Sequence, residues 1–470
     1  MTGHRHRSVT QALAVAALAL AAACSNDKPA PATSSLASLQ AARRDEMEGL
    51  GKIDHVVVIY LENRSFDNLY GEFAGANGLA NATGAPLQVD ATGTPYTTLP
   101  EVAGSPIPTT LPNAPFAIEN YVPANMPTRD LVHRFYQEQV QIDGGKMDKF
   151  VQISDAKGLS MGHYHTAPLP LAAEAANYTL CDNFYHAAFG GSFLNHFWLI
   201  AARTPVFPSA PTSAIVVLDG SGKLVSDGYV TPDGYAVNTA FTVNHPHPAS
   251  VPAANLVPNQ TFATIGDRLS EKGVSWAWYA GGWNDALAGH ADPLFQFHHQ
   301  PFAFFANFAD GTAAKAEHLK DVTDFTTALA SGQLPAVSFI KPLGEENEHP
   351  GYTDVITGEN DVEGLITSIR NSPYWKHTAI IITYDENGGF WDHAAPPVVD
   401  RWGPGTRVPA LVISRYARKG KVDHHRYDTT SILAFIERRW HLDPLTSRDA
   451  GADPLSGAFD FEQKDGHGHE

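Results

Sequence analysis

Two runs of aliphatic and β-branched residues constrain this chain most: His55-Val56-Val57-Val58-Ile59-Tyr60-Leu61 and Thr378-Ala379-Ile380-Ile381-Ile382-Thr383-Tyr384. Their hydrophobicity is continuous, not alternating. That is the pattern of a strand buried on both faces, which requires a sheet covered on both sides. Val274–Tyr279, Ala336–Ile340 and Pro409–Ser414 read as further strands, and Thr179-Leu180 as a short one. Helical patterns fall over Arg129–Gln141, Ala167–Tyr178, Thr264–Lys272, Asn360–Asn371 and Thr430–Trp440. The alternation predicts one α/β domain over residues 51–445, with a central, mostly parallel sheet and helices on both faces. Two stretches rich in Pro, Thr, Ala and Gly, at about 82–128 and 204–260, read as irregular insertions. The second holds a hairpin at Ala214–Leu218, turning at Gly220-Ser221-Gly222. Residues 446–470, ending in Gly466-His467-Gly468-His469, read as a C-terminal tail.

The N-terminus carries Arg5 and Arg7, then an alanine-rich apolar run from Ala12 to Ala23, then Cys24. This is the layout of an export signal over residues 1–23, too short to count as a spanning helix. Small residues directly before a cysteine resemble a bacterial lipobox. Two readings follow: lipidation of Cys24, anchoring the chain to the outer membrane or another envelope membrane, or plain secretion. Residues 24–50 would then be a lipidated cysteine with a flexible tether. Cys181 is the other cysteine, so a disulfide framework and a four-cysteine zinc site are both excluded. The formal charge of −18 excludes a nucleic-acid partner, which would call for a basic surface. An acidic chain with 22 histidines points instead to histidine chemistry.

In open α/β sheets, ligands bind beyond the carboxyl ends of the strands. Both long runs end in polar clusters there: Glu62-Asn63 after the first, Asp385-Glu386-Asn387 after the second. Carboxylates converging at one sheet edge repel unless a cation joins them. Their oxygen donors suit a hard or borderline divalent metal: calcium, magnesium, manganese, iron or zinc. A helix cap is the bland alternative for either cluster alone. In Phe189-Gly190-Gly191-Ser192-Phe193-Leu194-Asn195-His196, the glycines would let backbone approach a ligand. A helix starting after Ser192 would favour an anion. Adjacent histidines such as His298 and His299 would point apart on a strand.

These segments together resemble a known family. Ile53-Asp54-His55 through Glu62-Asn63-Arg64-Ser65-Phe66-Asp67-Asn68 is similar to the opening signature of the bacterial phosphoesterase family, which holds the non-zinc phospholipases C and the acid phosphatase A type enzymes. The likeness continues in Met161-Gly162-His163-Tyr164, in Leu180-Cys181-Asp182-Asn183-Phe184 and in Thr383–His393. It also covers Pro396-Pro397 and Gly403 with Arg407-Val408-Pro409. Ser192-Phe193-Leu194-Asn195-His196 looks like the acid phosphatase A branch, because phospholipase C members carry a threonine before a Pro-Asn-Arg-like run.

The resemblance implies an alkaline-phosphatase-like fold and Ser192 as a nucleophile that forms a phosphoserine. It implies one divalent metal held by Glu62, Asn63, Asp385 and Glu386 together with Ser192. His298, His299 and His349 would clamp the phosphate, and His163 would be the general acid. Histidines titrating near their ordinary value of about 6.5 would be cationic in mild acid, which predicts an acid optimum. The partners expected are phosphorylated small molecules or phospholipid head groups. The leading expectation is an acid phosphatase of broad phosphomonoester specificity. The alternatives are a phospholipase C acting on phosphatidylcholine-like lipids and a surface protein that binds phosphorylated ligands without turnover.

Overall fold

The two long runs pair directly, in parallel and in register from His55 opposite Thr378 to Leu61 opposite Tyr384. The computed structural model describes residues 49–463. The export signal, Cys24 and the Gly466–His469 run lie outside the described residues.

Eight strands form the main sheet: β1 His55–Leu61, β2 Thr179–Cys181, β3 Trp276–Ala280, β4 Leu319–Lys320, β5 Val337–Lys341, β6 Thr378–Tyr384, β7 Ala410–Ser414 and β8 Lys421–Asp423. Their order across the sheet is β4-β3-β5-β1-β6-β7-β2-β8. The β4-β3-β5-β1-β6 half is parallel throughout. β7 runs antiparallel to both its neighbours, β6 and β2. The sheet is therefore mixed but mostly parallel, as expected. Every residue of β6 is buried, and β1 is buried from Val56 onward.

Register shows how the two faces are used. Partners in a parallel pair share a face and consecutive residues alternate. Tyr60 therefore points to one side and Tyr384, opposite Leu61, to the other. The Tyr60 hydroxyl donates to the Asn195 carbonyl of the helix Ser192–Ala201, which packs on the helix Thr429–Trp440. The Tyr384 hydroxyl donates to Glu348, whose chain lies against the helix Val355–Arg370 at Gly358.

Three expected elements are displaced for local reasons. The helix predicted from Arg129 begins only at Phe135, because side chains hold the preceding backbone in other conformations. Asp155 accepts from the Val132 N–H, Asn238 accepts from the Phe135 N–H, and Arg134 pairs with Asp227. The helix predicted from Asn360 begins at Val355, capped by Asp354. The helix predicted over Ala167–Tyr178 is confined to Ala172–Asn177. The hairpin pairs Val217–Leu218 with Leu224–Ser226. Beyond residue 446, where a tail was expected, a short helix covers Ser447–Ala450, and Leu455, Ala458 and Phe459 are buried.

Candidate active site

The carboxyl ends of β1, β5 and β6 meet beneath the start of the helix Ser192–Ala201. Asn63 leaves β1 in the left-handed region, with φ of 66°. Its N–H donates to Asp385 Oδ1 at 3.3 Å, tying the two strand ends together. Gly388 answers this bend: a Cβ there would lie 2.2 Å from the Asn63 carbonyl oxygen. The Gly388 N–H donates to Glu386 Oε2 at 2.6 Å, leaving Glu386 Oε1 without a hydrogen-bond partner.

Ser192 is the first residue of its helix, and its hydroxyl donates to Asn63 Oδ1 at 3.3 Å. The glycines before it do not open the backbone to a ligand. They let another chain segment approach: a Cβ on Gly190 would lie 2.5 Å from the Phe135 nitrogen, and one on Gly191 2.7 Å from the His133 carbonyl. Asn195 closes the turn, accepting from the Ala188 N–H and donating back to the Ala188 carbonyl, both at 3.0 Å. His196 donates from Nδ1 to the Ser192 carbonyl at 2.7 Å, and its buried Nε2 has no hydrogen-bond partner.

The histidines divide by position. His298 and His299 lie on a single 3₁₀ turn, Phe297–His299, and both reach the site. His298 lines the cavity, while His299 stacks on His196 at 5.1 Å and contacts Glu62 Oε1 through Nε2. His349 stacks on Tyr352 at 3.9 Å and places Nε2 3.7 Å from Glu62 Oε2. His163 is not among the cavity-lining residues. Its Nδ1 lies 3.8 Å from Glu72, and its neighbour Tyr164 lies beneath the Arg64 guanidinium. The structure does not bring His163 to the cavity beside Ser192.

Three site residues escaped the sequence reading. His133 sits with Nε2 3.3 Å from Asn63 Nδ2 and 3.8 Å from Glu386 Oε1. It had been placed inside a helix that does not form there. His196 was read only as part of a motif. Lys341 is the last residue of β5, fully buried, with its ammonium 2.8 Å from Glu62 Oε1 and 3.5 Å from Asp385 Oδ2. Its signal was available: a charged residue directly after a buried strand, one position beyond the predicted end.

Ser192, Glu62, His133, His298, His349 and Tyr352 line a cavity of about 350 Å³. Asp130, Asp155, Arg134, Asn238 and Gln296 add further polar lining. Two trios of possible metal ligands gather here, Glu62–His196–His299 and Asp130–His133–His349, each with donor atoms within 4.8 Å of one another. Asp385 and Glu386 stand outside both trios.

Electrostatics in the cavity are set by burial and by Lys341. Burial opposes ionisation of Glu62, but the charges of His299 and Lys341 hold its carboxyl well below the usual range. Burial, against the pull of Lys341, pushes Asp385 up to about 6. Burial and the neighbouring Asp385 push Glu386 well above the usual carboxylate value. The expectation of histidines titrating near their ordinary value is corrected for His196, His298, His299 and His349. Burial lowers all four, His299 to about 4 against the pull of Glu62.

A model described as "Phosphoesterase family" matches residues 53–443. The chain is 27% identical over 461 residues to phospholipase C A of Mycobacterium tuberculosis, covering 88% of this chain and 78% of that protein. It is 24% identical over 481 residues to a non-hemolytic phospholipase C of Pseudomonas aeruginosa, covering 92% of this chain and 61% of that protein. Among solved structures it is similar to an alkaline phosphatase superfamily protein from Vibrio parahaemolyticus. That likeness has a TM-score of 0.36 and 12% identity, over 71% of this chain and 73% of that one.

Proposed function

The chain belongs to the phosphoesterase family and is a phosphoric ester hydrolase, and from that premise we propose that it is a metal-dependent phosphatase acting on small phosphomonoesters through Ser192. The observation that carries the reading is the pairing of the Ser192 hydroxyl with Asn63 Oδ1, at a helix N-terminus facing a polar cavity. Free N–H groups and the helix dipole at that end favour a phosphate. The Ser192 oxygen attacks phosphorus, the ester oxygen leaves as the alcohol, and water then releases phosphate from the phosphoserine. His298 and His349 line the same cavity and would donate hydrogen bonds to phosphoryl oxygens.

The donor set fits one divalent cation. The buried carboxyl groups of Glu62 and Asp385 share the buried ammonium of Lys341, and the buried Glu386 Oε1 accepts no hydrogen bond. Glu62, Asn63, Asp385 and Glu386, with the Ser192 hydroxyl, would hold the ion. When bound it would supply charge stabilisation and favour the ionised serine. The candidates are calcium, magnesium, manganese, iron and zinc.

A second reading, a phospholipase C-type diesterase, is favoured by the names of the relatives. The polar lining of the cavity, with Asp130, Asp155, Asn238 and Gln296 at its wall, favours the monoester reading, because lipid chains would call for apolar lining. The deciding experiment is a panel of phosphomonoesters and choline-type phosphodiesters, run on metal-analysed protein. Phosphate release from monoesters supports the main reading, and phosphodiester-only turnover replaces it with the second. We further propose export with lipidation at Cys24. Radiolabelled palmitate incorporation that survives Cys24→Ser would overturn that placement.

A further inference from the structure

The proposed metal site has a second donor group beside it, and one residue bars it. Glu62, His196 and His299 are all buried and place three ligand atoms within 4.8 Å of one another. Carboxylate plus two imidazoles is a set that binds zinc, manganese or iron readily. His196 is oriented for this role. Its Nδ1 donates to the Ser192 carbonyl, so Nε2 carries the lone pair, and Nε2 is buried with no hydrogen-bond partner. A backbone-bonded Nδ1 is the usual support for a ligating Nε2.

Lys341 stands on the carboxylate of that trio. Its ammonium is 2.8 Å from Glu62 Oε1 and 3.5 Å from Asp385 Oδ2, and it lies over the Tyr60 ring at 5.3 Å. The backbone holds it there: β5 pairs with β1 on one side and β3 on the other, and Lys341 is opposite Ala280. A fully buried side chain between two strands has no route to solvent. The ammonium therefore supplies one fixed positive charge and repels any divalent ion beside it.

Resting on the one-metal reading above, we propose that Lys341 is an internal counter-cation that closes the Glu62–His196–His299 trio to metal and holds the centre to a single divalent ion. Lys341 is a positioning residue: it holds Glu62 and Asp385 together, and it sets how many ions the site accepts. Removing its charge opens the trio.

The test is metal stoichiometry, independent of turnover. Purified wild-type chain, Lys341→Met, Lys341→Arg and the double variant Lys341→Met/His196→Ala are dialysed against Mn²⁺ and analysed for bound metal. Mn²⁺ electron paramagnetic resonance reports whether bound ions are coupled, and thermal unfolding in EDTA confirms folding. Wild type and Lys341→Arg are expected to hold one ion per chain. Lys341→Met is expected to hold two, spin-coupled, and the double variant one. A single ion in Lys341→Met at wild-type affinity overturns the inference and leaves the one-metal reading intact. No ion in wild type overturns that reading and the inference with it. Should Lys341→Met not fold, Lys341→Gln takes its place. Two coupled ions in the wild-type chain overturn the inference with no variant needed.

Discussion

Two acid-rich clusters of this protein look alike in sequence and differ in one respect. Asp67, Asp392 and His393 place possible ligand atoms within 4.8 Å of one another, as Glu62, His196 and His299 do. In the first cluster Arg407 answers the charge of both aspartates. It is buried, reaches Asp392 Oδ1 at 2.9 Å and Asp67 Oδ1 at 3.1 Å, and donates to the carbonyls of Asn77 and Asp182. His393 closes the set on Asp67 Oδ2 at 2.6 Å. At the ends of β1 and β6, Glu62 and Asp385 share one lysine, and Glu386 Oε1 accepts no hydrogen bond. Charge compensated from within marks a clamp, here fastening the 388–407 segment to Asp67. Charge left short marks a place built for something else to complete.

The largest effect that separates the two belongs to the serine. Ser192→Ala is expected to lower turnover of p-nitrophenyl phosphate by about a thousandfold or more while the protein still unfolds at its wild-type temperature. Residual turnover above a few per cent would remove Ser192 from the chemistry. Arg407→Met should do the reverse. Breaking a buried, hydrogen-bonded ion pair costs about 3–5 kcal/mol, so its denaturant midpoint falls steeply while metal stoichiometry in the folded fraction is kept. An Arg407→Met protein of normal stability but with lost metal would erase the distinction. Glu386→Gln comes next. It removes an unpaired oxygen's charge, so metal affinity should fall by at least the roughly 10–100-fold that a supporting partner costs, as read by dialysis against Mn²⁺. In EDTA its stability should be equal to wild type or higher, because a buried carboxylate charge whose Oε1 accepts no hydrogen bond is removed.

The contrast also explains what the sequence could show. β1 and β6 begin and end at the predicted residues, because a run buried on both faces has no register in which it could be exposed. Glu62, Asn63, Asp385 and Glu386 were legible because a strand end fixes where the next side chains go. Ser192 was legible through its glycines, although these serve His133 and Phe135 rather than a ligand. His133 was not, since its place depends on Asp155, Asn238 and Asp227, which lie far away in the chain. Doubt about His298 and His299 came from assuming a strand, and a 3₁₀ turn brings both to one site. Nor does an acid's spacing tell whether an arginine will arrive to neutralise it. Arg407 lies 15 residues from Asp392 and 340 from Asp67.

An intermediate case gives the smallest and most specific prediction. Glu348 is fully buried beneath His349 and left-handed at φ of 70°. Its Oε2 accepts from the Tyr384 hydroxyl at 2.8 Å and its Oε1 has no partner, while Arg64 donates to its carbonyl and not to its carboxyl. Burial pushes this carboxyl up to about 8, against Arg64 and the Tyr384 hydrogen bond. The sign follows from proton counting. Between the ordinary value near 4.5 and about 8, the folded chain keeps a proton that the unfolded chain has released. Stability from this group is therefore full below that window and declines as pH rises through it, by at most about 1.4 kcal/mol per pH unit. Glu348→Gln keeps the shape and cannot ionise. Its denaturant stability should fall less between pH 5 and about pH 8 than that of wild type, and the two curves should converge at the acid end. Parallel curves would mean that folding leaves the Glu348 carboxyl unshifted, and would remove it from the groups left short of a partner.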